Sequence, residues 1–95
     1  MSTQSFSIAR FRLGHIVNTP NALSRLTNVD ILLGLQRHLA GDWGDVDAHD
    51  RAANDHALVE GTRILSVYHA ANGMKFWIIT ESDHSATTVL LPEDY

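Results

Sequence analysis

The fold is decided by residues 63–95, which read RILSVYHAANGMKFWIITESDHSATTVLLPEDY. Three runs rich in β-branched and aromatic residues are separated there by two groups of turn-forming residues. Between the first two runs, Asn72-Gly73 is typical of a two-residue type I′ hairpin turn. We therefore predict three consecutive antiparallel strands, with Val67 opposite Ile78 and Ile78 opposite Val89.

This register divides the three strands into two faces. One face is apolar and suits a core formed against helices. The other face combines Tyr68, Trp77 and Leu90 with smaller polar residues, and it is too apolar for an ordinary solvated face. We expect a chain terminus, a helix or a partner to cover it, so these three residues are a candidate dimer interface or second partner interface.

The preceding residues predict one strand and three helices. Phe6 to Asn18 alternates as a strand. Thr19-Pro20 starts a short helix, Thr27 begins a capping-box pattern at the start of a second, and Asp47 is a suitable N-cap for a third over 48–60. The order β-α-α-α-β-β-β indicates a small α+β domain: an antiparallel sheet with a C-terminal three-stranded meander and helices packed mainly on one face.

The spacing of apolar residues predicts which helix faces are buried. The second helix is expected to bury Ile31, Leu32, Leu35 and Leu39. The third has only a thin apolar stripe, formed by Ala52, Ala53, Leu58 and Val59.

Length and composition predict a single domain over residues 1–95, with residues 1–5 as a frayed terminus. The chain has no cysteine, so disulfides and thiolate chemistry are excluded. The N-terminal sequence MSTQSFSIARF has no apolar run typical of a signal peptide or a membrane span. We expect a cytoplasmic protein with no membrane partner.

Negative charge is concentrated in the middle of the chain. The formal net charge is -4, and the segment 42–60 carries six acidic residues against Arg51 as its single Lys or Arg. Binding of nucleic acid relies mostly on Lys and Arg neutralising phosphates, and no basic stripe is present. The charge therefore argues against direct contact with nucleic acid and favours a basic protein surface as partner.

Trp43 lies in this acidic segment and has two interpretations. As an exposed residue it would anchor a protein partner, because Trp is enriched at interface hot spots. Alternatively, it folds back over the third helix and fills space beside the small alanines. On the first interpretation the partner-binding residues are Asp42, Trp43, Asp45, Asp47 and Asp50.

No residue pattern predicts a bound metal or cofactor. His49 and His56 lie about 10 Å apart along the axis of the third helix, which is too far for both to ligate one ion. The chain has neither a glycine-rich phosphate loop nor a nucleophile elbow. We therefore expect no metal and no cofactor.

An enzyme is the less favoured alternative. A ribonuclease-like or toxin-like domain would use His69 and His84 for acid–base cleavage of RNA, with Lys75 and Arg63 to hold the phosphate. These residues are scattered over strand ends and a turn of an acidic protein.

Three motifs support a resemblance that covers most of the chain from Leu13 to Tyr95. They are Gly14-x-Ile16-Val17-x-Thr19-Pro20, Gly41-Asp42-Trp43-Gly44, and Trp77-Ile78-Ile79-Thr80-Glu81 with the following strand through Pro92. In these motifs the chain resembles a family of small bacterial proteins labelled plasmid-related or hypothetical. Members often have Arg where this sequence has His84.

The resemblance implies carriage on a mobile genetic element such as a plasmid or a phage-like region. Small acidic proteins in that setting often act by covering a host machine, as anti-restriction and anti-CRISPR proteins do. We therefore predict a non-enzymatic protein-binding module that inhibits a host defence system by covering a basic, nucleic-acid-binding surface. Two alternatives stay open: the ribonuclease-like enzyme, and a homodimer joined through Tyr68, Trp77 and Leu90.

Overall fold

The structure is a computed structural model and describes residues 9–95. The elements of this range follow the predicted order, which confirms the α+β class. The strands are β1 (His15–Asn18), β2 (Ile64–His69), β3 (Lys75–Thr80) and β4 (Ala86–Leu90); the helices are α1 (Pro20–Arg25), α2 (Asn28–Leu39) and α3 (Ala48–Glu60); a short 3-10 helix spans Pro92–Asp94. None of these helices is both long enough and apolar enough to cross a membrane.

The sheet is mixed, so the prediction of an antiparallel sheet was wrong for one strand. Its spatial order is β1-β4-β3-β2. The three C-terminal strands form the predicted antiparallel meander, with Ile78 opposite Val89 as expected. β1, however, runs parallel to β4. Parallel neighbours need a long crossover connection. The chain between β1 and β4 provides one, because it contains the three helices as well as β2 and β3.

The first strand is much shorter than predicted. Gly14 ends the preceding segment with a φ of +66°, and a Cβ at this position would lie 2.4 Å from the backbone oxygen of His84. Before Gly14 the chain leaves the sheet, because the Arg10 N–H donates to the Leu39 carbonyl at the end of α2 (2.8 Å). The predictions for residues 1–5 and for the start of the strand at Phe6 lie outside the described residues.

The β2–β3 hairpin has a three-residue loop instead of the predicted two-residue turn. The Ala70 N–H donates to the Met74 carbonyl, and the Gly73 N–H donates back to the Ala70 carbonyl, both at 2.8 Å. Gly73 occupies the left-handed region (φ +87°), as expected for the bulge residue of such a loop. Asn72-Gly73 thus marks the turn correctly, but the loop is one residue longer than predicted.

The longer loop shifts the register by one residue and changes which side chains share a face. Val67 lies opposite Trp77 instead of Ile78. A one-residue shift turns every side chain of a strand to the other face relative to its neighbour. Tyr68 therefore lies with Phe76 on the core face, whereas Val67 lies with Trp77 on the second face.

All three helices cover the same face of the sheet, as predicted. α1 contacts β4, α2 contacts β3 and α3 contacts β2. The larger core cluster lies beneath α1 and α2, and a smaller cluster lies beneath α3. The smaller cluster consists of Trp43, Val46, Ala57 and Ile64.

The predicted helix starts are confirmed. Thr19 caps α1, and its hydroxyl accepts from the Ala22 N–H (3.1 Å). Thr27 and Asp30 form the complete capping box of α2, in which each side chain accepts from the other residue's N–H at 3.0 Å. The carboxylate of Asp47 caps α3 by accepting from Asp50 N–H (2.8 Å).

The buried faces of two helices differ from the prediction. On α2, Ile31 and Leu35 are buried as expected, but Leu32 is 58% exposed. On α3, Ala52, Ala53 and Val59 are exposed, and the buried residues are Asn54 and Ala57. A polar residue therefore occupies the centre of the α3 face, and this explains why the apolar pattern is misleading there.

Candidate acidic interface

Asp42 begins the acidic segment and has three local contacts. Its carboxylate forms a two-point ion pair with Arg37, at 2.8 Å from Nε and 3.2 Å from Nη2. It also accepts from the Gly44 N–H (3.2 Å). The hydrogen bond from Arg37 is the main reason that the pKa of Asp42 is lowered. Much of the charge of Asp42 is thus compensated within the chain.

Trp43 is part of the core, so the prediction that it is an exposed anchor was wrong. The residue is 2% exposed and packs in the cluster with Val46 and Ile64. Its indole N–H donates to the Asp55 carboxylate of α3 (2.9 Å). The loop folds inward because the large apolar ring of Trp43 fills the space under α3, as in the alternative prediction that Trp43 folds back over the third helix.

Gly44 allows the loop to pair with the edge of the sheet. The Val67 N–H donates to the Trp43 carbonyl (3.0 Å), and the Asp45 N–H donates to the Val67 carbonyl (2.7 Å). Gly44 has a φ of +74°, and a Cβ there would lie 2.0 Å from the Val67 oxygen. Only glycine fits a contact this close with a left-handed backbone.

Asn54 covers the next position along the same edge. Its amide nitrogen donates to the Leu65 carbonyl (2.7 Å), and its amide oxygen accepts from the Leu65 N–H (3.1 Å). The side chain therefore satisfies both backbone groups of Leu65 that a neighbouring strand would satisfy. Together with the loop at Val67, this contact closes β2 against pairing with another chain.

The remaining predicted residues, Asp45, Asp47 and Asp50, lie at the surface. Asp45 and Asp47 are exposed, and the Asp50 side chain is 50% exposed. Carboxylate oxygens of Asp47 and Asp50 and a ring nitrogen of His49 all lie within 4.8 Å of one another. Within residues 9–95, no Lys or Arg nitrogen lies within 4.0 Å of these three carboxylates. We call Asp45, Asp47 and Asp50 the acidic patch.

The acidic patch stands on a rigid support. Asp45 directly follows the glycine that pairs with β2, and its own N–H holds the Val67 carbonyl. Asp47 caps α3 and Asp50 lies in its first turn, and Asn54 of the same helix bonds to the sheet. The backbone positions of all three carboxylates are therefore fixed by contacts with the body of the protein.

The predicted second interface does not form one surface. Tyr68 is 2% exposed on the core face, and its hydroxyl donates to the Asp42 carbonyl (2.6 Å). Burial raises the pKa of this hydroxyl, and the Arg37 guanidinium lies 4.6 Å from the ring centre. Trp77 and Leu90 pair on the opposite face of the sheet. The grouping was wrong because it followed from the predicted hairpin register.

The second face is covered in part by the end of the chain. The ring of Tyr95 packs edge-on against Trp77, with 5.6 Å between ring centres. The Arg63 guanidinium lies over the Tyr95 ring, 5.1 Å from its centre, and donates a hydrogen bond to the Tyr95 hydroxyl. Ile79 and Leu90 are buried on this face. The expectation that a chain terminus covers the second face is met at Trp77.

The candidate ribonuclease residues lie at opposite ends of the sheet. His69 and Lys75 form a cross-strand pair beside the β2–β3 loop. His84 lies in the turn that follows β3 at the other end. The length of β3, about 17 Å at the usual rise per residue, separates the two groups. A general acid and a general base must both reach one phosphate, so these residues cannot act together on one scissile bond.

A buried polar network around His38 was not predicted from the sequence. His38, Ser66, Thr80 and Thr87 are each 0% exposed. His38 contacts Ser66 through Nδ1 (2.6 Å) and Thr80 through Nε2 (2.9 Å). Thr80 in turn contacts Thr87 (2.7 Å), whose hydroxyl donates to a backbone carbonyl. The signal was present, because His38 continues the buried spacing of Ile31 and Leu35 along α2.

The end of this network fixes the direction of every bond in it. The Leu13 carbonyl can only accept, so Thr87 donates to it (2.7 Å) and accepts from Thr80. Thr80 must then accept from the Nε2–H of His38. In a neutral ring the other nitrogen is an acceptor, so Nδ1 accepts from the Ser66 hydroxyl. Burial lowers the pKa of His38 to about 3, so the ring is neutral. Ser66 and His38 resemble a nucleophile and its base, but no substrate can reach them at 0% exposure.

Comparisons with known proteins give no family assignment: no family model, curated protein or solved structure matches this chain.

Proposed function

We propose that this protein is a non-catalytic protein-binding module, carried on a mobile genetic element, whose acidic patch contacts a basic surface of a host protein. The observation that carries the proposal is the exposure of three neighbouring carboxylates at the start of α3, with no Lys or Arg of residues 9–95 paired to them. The Arg51 guanidinium contacts the Val46 carbonyl between Asp45 and Asp47 (3.4 Å), so one cation lies beside three carboxylates and the patch keeps a net negative charge. Surface charge of one sign steers association with a partner of the opposite sign.

Rigidity supports this role for the patch. A binding surface that is already ordered loses less conformational entropy when its partner binds. Asp45 and Asp47 are held on either side of the buried Val46, and Trp43 anchors the same loop in the core. In this proposal Trp43 supports the interface from beneath and makes no contact with the partner.

The nature of the partner is part of the proposal. A basic, nucleic-acid-binding surface of a host defence complex matches the negative charge of the patch and the setting implied by the resemblance to plasmid-related proteins. The module would act in the cytoplasm by covering that surface, which needs neither a cofactor nor a cleavage step. Inhibition of the complex would follow because the patch occupies the phosphate-binding positions.

The proposal is tested by affinity capture from a host lysate with a charge-neutral variant. Asp45→Asn, Asp47→Asn and Asp50→Asn together remove the charge of the patch, and Asn at position 47 retains a good N-cap for α3. A matched control removes the same charge elsewhere, through Glu60→Gln, Glu81→Gln and Glu93→Gln, all at exposed positions. Far-UV circular dichroism should show the same folded spectrum for all three proteins.

We expect the wild type and the control to retain the same basic partner and the patch variant to lose it. Binding should also weaken as salt rises from about 0.1 M to 1 M, because screening shortens the range of the attraction. A partner that binds the patch variant as tightly as the wild type would exclude the acidic patch as the binding surface. When the wild type captures a complex, inhibition assays on that complex test the defence role separately from binding.

A further inference from the structure

The two edges of the sheet differ in how their backbone groups are satisfied. β2 forms one edge, which the loop at Val67 and the Asn54 side chain close. β1 forms the other edge. In the part of the chain that the structure describes, no further strand lies beside β1.

The backbone groups of Ile16 and Asn18 point away from the sheet. The His15 and Thr19 N–H groups donate to carbonyls in and next to β4, at 2.9 and 3.0 Å. Successive residues of a strand direct their N–H and C=O groups to opposite sides, so Ile16 and Asn18 present theirs at the open edge. No hydrogen bond from another part of residues 9–95 reaches these four groups.

An open row of backbone groups determines what kind of molecule can occupy it. The groups that match it are the N–H and C=O groups of another extended backbone, and strand addition at a sheet edge uses this complementarity. Natural edges are usually protected by Lys, Pro, a bulge or a covering segment. β1 contains neither Lys nor Pro, and its Ile16 and Val17 are 49% and 46% exposed. The edge is therefore well suited to receive a strand.

A groove beside the N-terminal end of β1 indicates which extended segment fits. Its lining includes four apolar side chains, a histidine and an arginine: Phe11, Leu13, Ile16, Leu39, His84 and Arg12. Of the lining residues that the structure describes, none is Asp or Glu. Arg12 is exposed, and no carboxylate oxygen of residues 9–95 lies within 4.0 Å of its guanidinium. The groove thus offers an unpaired positive charge beside an apolar surface.

Two acidic residues near this edge have partners of their own. Asp83 lines a second cavity next to Arg12, and its carboxylate accepts from the Ser85 N–H (2.9 Å). At the other end of β1, the Asp94 carboxylate accepts from the Thr19 hydroxyl (2.6 Å) and from the Asn21 amide (2.7 Å). The charge of Arg12 is therefore available to a carboxylate from outside the chain.

We propose that the β1 edge binds an extended acidic segment of a partner protein, which pairs with Ile16 and Asn18 as an added strand and places a carboxylate against Arg12. Antiparallel pairing is expected, because it is slightly more stable per residue than parallel pairing. Arg12 precedes β1, so the acidic residue follows the paired residues of the segment. The proposal goes beyond the acidic patch and does not rest on it, since the patch lies beside β2 at the opposite edge.

A synthetic peptide of three Thr-Val repeats followed by two Glu residues tests the backbone pairing. Amide hydrogen exchange of the full chain, followed by NMR, reports each N–H separately. We expect the Ile16 and Asn18 amides to exchange rapidly in the free protein and about tenfold more slowly at peptide saturation. The amides of His15 and Thr19, which are already bonded, should change little.

Two results of this experiment would overturn the proposal. Rapid exchange of Ile16 and Asn18 at peptide saturation would mean that the peptide does not pair with the edge. Slow exchange in the free protein would mean that the edge is already occupied. The same peptide with N-methyl groups on alternate residues is the control, because it cannot donate the hydrogen bonds of a strand and should not protect either amide.

A charge exchange tests the role of Arg12. Arg12→Glu should bind the Glu peptide several-fold more weakly than the wild type does, and should bind the same peptide with Lys in place of Glu several-fold more tightly. Lys75→Glu is the matched control, because it makes the same charge change at an exposed position beside the β2–β3 loop. Equal affinities of the Arg12 and Lys75 variants for each peptide would refute the contact with Arg12.

A pair of variants at one position tests the edge itself. Ile16→Pro removes the outward N–H without removing a bond to β4, and proline is tolerated on the open side of an edge strand. Ile16→Ala shortens the side chain but keeps the N–H. We expect the proline variant to lose the peptide and the alanine variant to retain it, with circular dichroism confirming that both are folded. Retention by a folded proline variant would overturn the proposal. The charge-neutral patch variant should bind the peptide as the wild type does, so the two proposals fail independently.

Discussion

The side-chain amide of Asn54 makes to Leu65 the same pair of hydrogen bonds that a neighbouring β-strand would make. Nδ2 lies 2.7 Å from the Leu65 carbonyl oxygen, and Oδ1 lies 3.1 Å from its amide nitrogen. The amide comes from α3, so one residue both joins that helix to the sheet and closes the sheet edge. This contact, together with the bonds of Trp43 and Asp45 to Val67, holds the loop before α3 and α3 itself against β2.

Replacing Asn54 with Ala should lower the free energy of unfolding by about 2 kcal/mol, because two backbone groups of Leu65 lose their partners. Asn54→Asp should be at least as harmful, because it would bury a carboxylate with one oxygen facing the Leu65 carbonyl oxygen that now accepts from Nδ2. Chemical denaturation followed by circular dichroism measures the change. Asn28→Ala, at an exposed position of α2, is the control and should change stability by less than about 0.5 kcal/mol. Equal effects of the two alanine variants would contradict the role of Asn54.

Gly44→Ala should destabilise the protein far more than Gly61→Ala. Both glycines have a φ of +74°, so both substitutions incur the same left-handed backbone penalty of about 1–2 kcal/mol. At Gly61 nothing lies within 4 Å of the added methyl, whereas at Gly44 it would overlap the Val67 oxygen at 2.0 Å. We expect a loss of about 4 kcal/mol or more at Gly44. Thermal melts of the two variants, run side by side, separate the overlap from the backbone penalty, and similar melting temperatures would contradict the close contact.

Local signals in the sequence predicted most of the secondary structure. Thr19-Pro20, Thr27 with Asp30, and Asp47 each mark a helix start because capping depends on residues within one turn. The strands of the meander were also identified correctly. The hairpin register was not, because a two-residue and a three-residue loop both suit Asn72-Gly73 and only packing selects between them.

The acidic patch could be predicted, but its neighbours could not. Exposure of Asp45 and Asp47 follows from their charge alone. The inward position of Trp43 depends on the space beside Ala57 of α3 and Ile64 of β2, and both residues lie beyond the loop in the sequence. The parallel pairing of β1 with β4 and the buried contacts of His38 depend in the same way on long-range packing.

His38 should make the protein less stable as the pH falls below neutrality. Its pKa is lowered from 6.5 to about 3 in the folded protein, mainly by burial. The unfolded chain therefore binds a proton at this residue below pH 6.5, whereas the folded protein does not until about pH 3. The stability that the neutral ring provides is complete above pH 6.5 and is lost as the pH falls toward 3.

Between pH 7 and pH 5 this single residue should remove about 2 kcal/mol of unfolding free energy. His38→Gln, which keeps one donor and one acceptor but cannot titrate, should lose about 2 kcal/mol less over the same interval, whatever its stability at pH 7. Urea denaturation at several pH values gives both slopes. Parallel slopes for the two proteins would show that His38 does not carry the pH dependence.

Trp43→Ala should affect folding, whereas removal of the acidic patch should affect binding. Truncating this ring, 2% exposed, leaves a cavity among Val46, Ala57 and Ile64 and removes the donor to Asp55. The expected loss is about 3–5 kcal/mol, a large share of the stability of a small domain. Trp77→Ala, at a half-buried position on the second face, should cost about 1–2 kcal/mol.

Denaturation midpoints of these two variants and of Asp45→Asn distinguish the roles of the residues. Asp45→Asn should leave the midpoint unchanged, because only the backbone of Asp45 contacts β2. Retention of the wild-type midpoint by Trp43→Ala would mean that the ring is not part of the core, and the interpretation of Trp43 as a partner-contacting residue would regain its basis. A loss at Trp43 with none at Asp45 would show that the Trp43 ring supports the fold beneath the acidic patch and that the Asp45 carboxylate contributes nothing to stability, which leaves that carboxylate available to a partner.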